Sequence, residues 1–416
     1  MKRVNQKFNK ESITAIINAR IFDGMHIIDD NSVVIEGAHI RAVGGAVPAG
    51  TAVIDAQGGT LLPGLIDSHV HTDMAGLRDA LLFGVTTELE MMGYWSPKER
   101  KKIDERHDVA DIRSAGMGVT PPGGHPSQYM KSDNNLLIRL FFRFPFVSTP
   151  DEAVKFVDKQ VANGSDYIKI FIEDGSCVGY PGLQVTSNET LLASVNEAHR
   201  LGRMAIAHVT TVEGGQKAIA AGVDGLAHLF FDHQPTPEFV AAIAASGAFV
   251  TPTLVTISSA IGNNAEALAA DKRVSSRLSR EWLDSLSRSV NVYPQGKLED
   301  AYASVMTLHK AGVDLLAGSD VSEPLPMLGG LAHGASLHHE LQLLVAAGLT
   351  PIEALRAATS TPARRFGLTD RGRIAPGSLA DLLLVDGDPT TDISDTLSIR
   401  NIWRRGVQLT QPAGSS

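Results

Sequence analysis

Leu61-Leu-Pro-Gly-Leu-Ile-Asp-Ser-His-Val-His71 is an apolar, strand-like run that ends in two histidines one residue apart. Side chains at i and i+2 of a strand leave it on the same face. His69 and His71 can therefore reach one metal ion at the strand's C-terminal end, where neutral imidazole is a good ligand for zinc and similar divalent ions. By itself the pair reads equally well as two exposed strand-end histidines. Four further apolar runs break the tie: Asp166-Tyr-Ile-Lys-Ile-Phe171, Arg203-Met-Ala-Ile-Ala-His208, Val223-Asp-Gly-Leu-Ala-His228 and Val313-Asp-Leu-Leu-Ala-Gly-Ser-Asp320. Each carries one candidate ligand near its end, Lys169, His208, His228 and Asp320, which points to one shared site.

Around these runs, apolar segments alternate with amphipathic helical stretches, the pattern of parallel strands with crossover helices. Eight strands are expected near 61–67, 84–89, 114–119, 166–171, 203–208, 223–228, 248–253 and 313–319. Helices are expected over Asn188 to Leu201, Gly214 to Ala221 and Thr350 to Ala358, the last opening with the start signal Thr350-Pro351. The fold class is thus α/β, a (β/α)8 TIM barrel with its ligands at the C-terminal ends of the strands, where barrel enzymes keep their chemistry. Residues 12 to 58 instead alternate short β-type runs with turn residues such as Asp23-Gly24, and Leu382-Leu-Leu-Val385 and Ile399-Arg-Asn-Ile-Trp403 resume that style. Because termini often lie close together, residues 1–58 and 372–416 are expected to form one composite β-sandwich beside a barrel domain of 59–371.

Composition narrows the function classes. The 416 residues, 43% hydrophobic and 20% charged, suit a barrel plus a smaller domain with a large core. A net charge of -9 argues against a nucleic-acid surface, which needs clustered Lys and Arg, so a small-molecule substrate is expected. Cys177 is the only cysteine, which rules out an intrachain disulfide. No apolar stretch follows the basic start and none is long enough to span a bilayer, so a cytoplasmic protein without membrane contact is expected.

The ordered set His69, His71, Lys169, His208, His228, Asp320, with Pro63-Gly-Leu-Ile-Asp-Ser-His-Val-His71, Gly318-Ser-Asp320 and the run from Gly372 to Pro389, resembles the amidohydrolase superfamily. Within it the chain is most similar to the binuclear branch and its imidazolonepropionase and prolidase-like cluster, and the likeness covers nearly the whole chain. The resemblance implies two divalent metal ions, zinc foremost, with His69, His71 and Asp320 on the more buried ion, His208 and His228 on the second, and Lys169 carboxylated by CO2 to bridge them. It also implies a homo-oligomer. A bare ammonium within Tyr-Ile-Lys-Ile-Phe would be costly to bury; the alternative is a lysine that snorkels to water. The bridging hydroxide of such a site would hydrolyse an amide-like C–N bond, with Asp320 moving the proton; without a metal, Asp320 reads as a capping residue after Gly318-Ser319.

The deaminase branch of the superfamily has a Glu three residues after the fifth-strand histidine. Val209-Thr-Thr211 follows His208 here, which favours amide, N-acyl amino acid, dipeptide, carbamate or urea hydrolysis over ring deamination. The tyrosine with which prolidase-like members contact substrate after that histidine is also missing. His125, in Gly123-Gly-His125, resembles a pocket-facing element of the cluster and is a candidate catalytic and substrate-contact residue. His333, in Leu331-Ala-His-Gly334, is a further substrate-binding candidate. His338 and His339 read as surface or packing residues, and Cys177 as a buried inert thiol. The phenylalanines 141, 142, 144 and 146, and Met91-Met-Gly-Tyr-Trp95, could wall an apolar pocket or pack as ordinary core. Alternative functions are ring opening of a cyclic amide or imidazolone, promiscuous phosphotriester cleavage, and a non-catalytic binding protein.

Overall fold

The computed structural model describes residues 13–132 and 145–410. Phe141, Phe142, Phe144 and the tail beyond residue 410 lie outside them. Leu65–Val70, Val85–Glu90 and Asp111–Ser114 pair in parallel as a three-stranded sheet. A second parallel sheet runs through Ile168–Ile172, Ala205–Val209, Gly225–Ala227 and Phe249–Thr251. Helices Met74–Leu81, Pro97–Asp104, Pro150–Ala162, Asn188–Arg200, Val212–Ala220 and Pro237–Ser246 separate successive strands. Their starts follow local chemistry: Ser96, Thr149 and Thr236 each cap a helix whose first residue is proline, a residue that lacks the N–H a helix start leaves unpaired anyway. The expected Thr350-Pro351 signal opens Pro351–Ala357, where Thr350 and Glu353 form a reciprocal capping box.

Between the two sheets the ladder thins to isolated parallel bridges, Val119 with Ile170, Val250 with Leu315, and Val321 with Val70. Two expected strands are reduced accordingly. The segment 114–119 keeps regular pairing only over Asp111–Ser114, since Gly116 and Gly118 follow, Gly116 at φ 67°. The segment 313–319 is left with the bridge at Leu315; Gly318 packs so closely that a Cβ there would sit 2.9 Å from the His69 nitrogen. The first expected strand is divided. Thr60–Pro63 pairs with Leu382–Val385, and Leu65–Val70 with Val85–Glu90, with Gly64 between.

Both chain ends therefore meet in one six-stranded sheet, ordered Val407–Gln408, Ile399–Arg404, Leu382–Val385, Thr60–Pro63, Arg20–Phe22, Ile27–Ile28. A four-stranded sheet of His39–Val43, Val33–Glu36, Ile13–Ile17 and Ala52–Asp55 accompanies it. Residues of both sheets, among them Ile16, Ile35, Leu61, Leu382 and Trp403, bury together in one apolar cluster. A larger cluster joins the parallel strands to their helices. At about 1.5–3 kcal/mol for each large apolar side chain taken out of water, this burial is the main force behind the arrangement.

An ion network fastens the terminal sheet to the parallel strands. Arg404, fully buried on Ile399–Arg404, pairs with Asp381 at 3.0 Å and reaches Asp111 at 3.8 Å; Arg371, 3% exposed, also binds Asp111. Against the cost of burial, Arg371, Arg113 and Arg404 hold the Asp111 carboxyl below its ordinary range. Removing one partner of a buried pair strands the others. Asp111→Ala is expected to lower unfolding free energy by about 3–5 kcal/mol, read from the denaturant midpoint; a shift below about 1 kcal/mol, the ceiling of an exposed pair, would show that the network is solvated.

Candidate metal centre

His69, His71, His208 and His228 stand at or just past the C-terminal ends of their strands, Lys169 lies within Ile168–Ile172, and Asp320 follows the bridged segment at Leu315. His69 is fully buried on Leu65–Val70, and its Nε2 lies 3.2 Å from Asp320 Oδ1 and 3.4 Å from Lys169 Nζ. His71 Nε2 lies 3.4 Å from the same Asp320 oxygen. The ligand atoms of His69, His228 and Asp320 fall within 4.8 Å of one another. The His208 ring sits 4.6 Å from that of His228, which sits 4.6 Å from His69. Six side chains from five separate segments thus converge.

The backbone at the site is strained in a coordinated way. His228, Thr253 and Asp320 have φ of 71°, 50° and 56°. Asp and His tolerate this left-handed region better than other residues, but a β-branched Thr there is a true outlier, and each such residue costs of order 1–3 kcal/mol. Thr253 Oγ1 and His228 Nδ1 share a 2.8 Å hydrogen bond, so two strained residues fix each other. Asp67 holds the Asp320 turn: its carboxylate accepts from Ser319 Oγ at 2.6 Å, from Ser319 N at 3.0 Å and from His69 N at 3.2 Å.

Electrostatics suit a cation. Burial, then the charge of Lys169, pushes His69 and His208 down to about 3, and burial with neighbouring groups places His228 well below its ordinary value. All three are neutral imidazoles with a lone pair to give. Asp320 is held well below the usual carboxylate range by His228 and His69 in spite of burial. Lys169 is the discordant group: an ammonium here would repel a metal, and burial pulls the amine down to about 7 although Asp320 and Glu90 oppose this. Burial thus favours the free base, the form that can add CO2. The donor set fits divalent ions, and the one cationic side chain is the one that can become an anion.

The site opens on a cavity of about 780 Å³. Among the expected substrate contacts, His125 and His333 both line it. His125 stacks on His208 at 4.6 Å and 26°, with Gln128 Nε2 at 2.7 Å from its Nδ1. Met92 and Tyr94 line the cavity, whereas Met91 is buried core. Phe146 is 39% exposed and lies off the cavity wall; among the described residues the apolar lining includes Phe171, Phe231, Ile257, Trp282 and Met327. Cys177 is buried with its thiol pushed up to about 12 by desolvation, and His338 packs between Thr396 and the Phe83 carbonyl.

Sequence reading missed Glu173, whose Oε2 lies 3.0 Å from His208 Nε2 and accepts from Thr210 Oγ1 at 2.5 Å, while Gly175 N–H donates to Oε1. Its position was readable, since residues 169, 171 and 173 share one face of a strand. A carboxylate behind a ligating imidazole orients the ring and strengthens it as a ligand.

Comparison with known proteins matches residues 60–409 to the model of the amidohydrolase family. An imidazolonepropionase of Cereibacter sphaeroides is 26% identical, with 93% of this chain and 94% of the relative covered. The ochratoxinase of Aspergillus niger is 24% identical over 83% of this chain and 75% of its own. A solved structure of molinate hydrolase superposes with a TM-score of 0.76 at 22% identity, covering 97% of this chain and 95% of the other. Among the described residues, no helix is long and apolar enough to cross a membrane.

Proposed function

The chain belongs to the amidohydrolase family, and from that premise we propose that it is a metal-dependent hydrolase of an amide-like C–N bond in a substrate with an apolar or aromatic substituent. One observation carries the reading: neutral His69 and His228, the Asp320 carboxylate and the Lys169 amine converge on one point at the wall of a largely apolar cavity. His69, His71, His208, His228 and Asp320 would hold two divalent ions, zinc by the donor chemistry. Lys169 would complete the set once its amine nitrogen has bonded to the carbon of CO2 and shed a proton. The bound ions would supply Lewis acidity and bring the pKa of water toward about 7.

The remaining work falls to the chain's own groups. Asp320 receives the proton of the attacking water on a carboxylate oxygen and returns it to the leaving nitrogen. His125, fixed by Gln128 and stacked on His208, faces the carbonyl oxygen as a hydrogen-bonding partner. Apolar walls exclude water and reward an apolar substituent by about 25 cal/mol for each Å² buried. We read the two parallel sheets and their bridges as one (β/α)8 barrel over 59–371, with 1–58 and 372–416 as a composite β-sandwich.

A panel of aryl amides, N-acyl aromatic amino acids and small polar dipeptides, offered at equal concentration to zinc-loaded protein, tests the substrate class. The highest kcat/KM is expected for the aryl amides; a higher value for the polar dipeptides would overturn the apolar preference. The likeness to an imidazolonepropionase over 93% of the chain favours imidazolone ring opening as the second reading, and a cyclic substrate belongs in the same panel.

A further inference from the structure

His333 is built for more than packing. It is 2% exposed, its Nδ1 lies 3.1 Å from Glu88 Oε1, and its ring meets Trp282 edge to face at 5.4 Å and 86°. Trp282 is itself pinned, since its Nε1–H donates to Asp79 Oδ2 at 3.0 Å. One of the ring's two nitrogens, and one of its edges, are thus spent on orientation. The other nitrogen, Nε2, has no hydrogen-bond partner among the described residues although the side chain is buried on the cavity wall. Gly76 makes this possible: a Cβ there would lie 2.7 Å from His333 Nε2 and 2.5 Å from Thr72 Oγ1, so both polar atoms border the same spot. Nε2 thus borders the cavity with its hydrogen-bonding capacity open to a ligand.

We infer that His333 Nε2–H, with Thr72 Oγ1 beside it, is a second recognition point that binds a neutral hydrogen-bond acceptor, a carbonyl or ether oxygen, on the part of the substrate beyond the hydrolysed bond. The inference deepens the proposed function and rests on that reading for the word substrate. An acceptor is required because His333 and Glu88 form a buried ion pair, Nδ1–H donating to the carboxylate at 3.1 Å, and a ring held as imidazolium by that pair has an N–H at Nε2 as well; the carboxylates of Glu88, Asp67 and Asp79 favour this form against the effect of burial. Neutrality is required because Asp73 and Asp79 line the same corner and would repel a carboxylate.

The test uses two ligands of one shape that cannot be hydrolysed, para-acetylbiphenyl and para-isopropenylbiphenyl, which differ by an oxygen in place of a methylene. Binding to metal-loaded wild-type protein is measured by calorimetry, beside His333→Phe and Gly76→Ala. The ketone is expected to bind roughly 10-fold tighter or more, the worth of a hydrogen bond to a charged group, and the ratio to fall to about 2-fold or less in both variants. Gly76→Ala leaves the His333 and Glu88 side chains themselves unaltered while its methyl group takes the spot beside Nε2, and it serves if His333→Phe does not fold. A wild type that fails to favour the ketone, including one that binds neither ligand, overturns the inference. A preference unaltered in the variants does so too, because the ketone would then be bound elsewhere, for example at the metals. Neither ligand has a C–N bond, so a failed amide panel with an intact ketone preference would count against the proposed reaction alone.

Discussion

Lys169→Ala is expected to lose roughly 100-fold or more of kcat/KM, the scale of removing one preorganised charge-stabilising group, and to regain part of it in formate, acetate or propionate. The amine is fully buried, 3.4 Å from His69 Nε2, and burial brings it down to about 7. An amine in that place serves a metal site only after it has become a carbamate, and a free carboxylate can occupy the space that alanine vacates. Lys169→Arg should be as inactive as the alanine variant and without rescue, since guanidinium does not form the adduct and stays cationic. The measurement is a titration of activity against carboxylate concentration for each variant. Near-normal turnover of Lys169→Ala without added acid would remove the bridging role.

Asp320→Asn is expected to keep its metal and to lower kcat by roughly 100-fold or more, as for loss of a group that transfers a proton in the transition state. The substitution isolates the proton. Asn retains one ligand oxygen and, like Asp, tolerates the φ of 56° at this position, so neither coordination nor backbone should change much. Kinetics as a function of pH, with metal content measured on the same sample, separate the two roles. An unchanged rate and pH profile would place the base elsewhere.

What was legible in the sequence was whatever local pattern carries. His69, His71, His208, His228 and Asp320 each end an apolar run and Lys169 lies within one, and burial of that run fixes where the side chain emerges. That the two ends of the chain pair was legible from the β style that residues 12–58 share with 382–385 and 399–403 and from the closeness of chain termini, and Arg20–Phe22 and Leu382–Val385 do share one sheet through Thr60–Pro63. What the chain separates was not legible. Glu88 orients His333 across 245 positions, and Thr253 meets His228 only because both adopt left-handed backbone that no propensity forecasts. The segments 114–119 and 313–319 have the apolar content of strands, but their glycines admit close packing and weaken a ladder, which leaves them mostly isolated bridges. Loop position left Phe146 open between pocket wall and core; it is 39% exposed and off the wall, while Trp282, far along the chain, lines the cavity.

The central claim is a two-metal centre assembled from these six side chains, and elemental analysis of purified, active protein tests it most directly. Protein produced with added zinc is expected to hold about two equivalents per chain, as a two-metal site requires, with the content falling in His69→Ala and His228→Ala. An active preparation holding less than about one equivalent would contradict the account, because a two-metal mechanism cannot run on a site that is mostly empty.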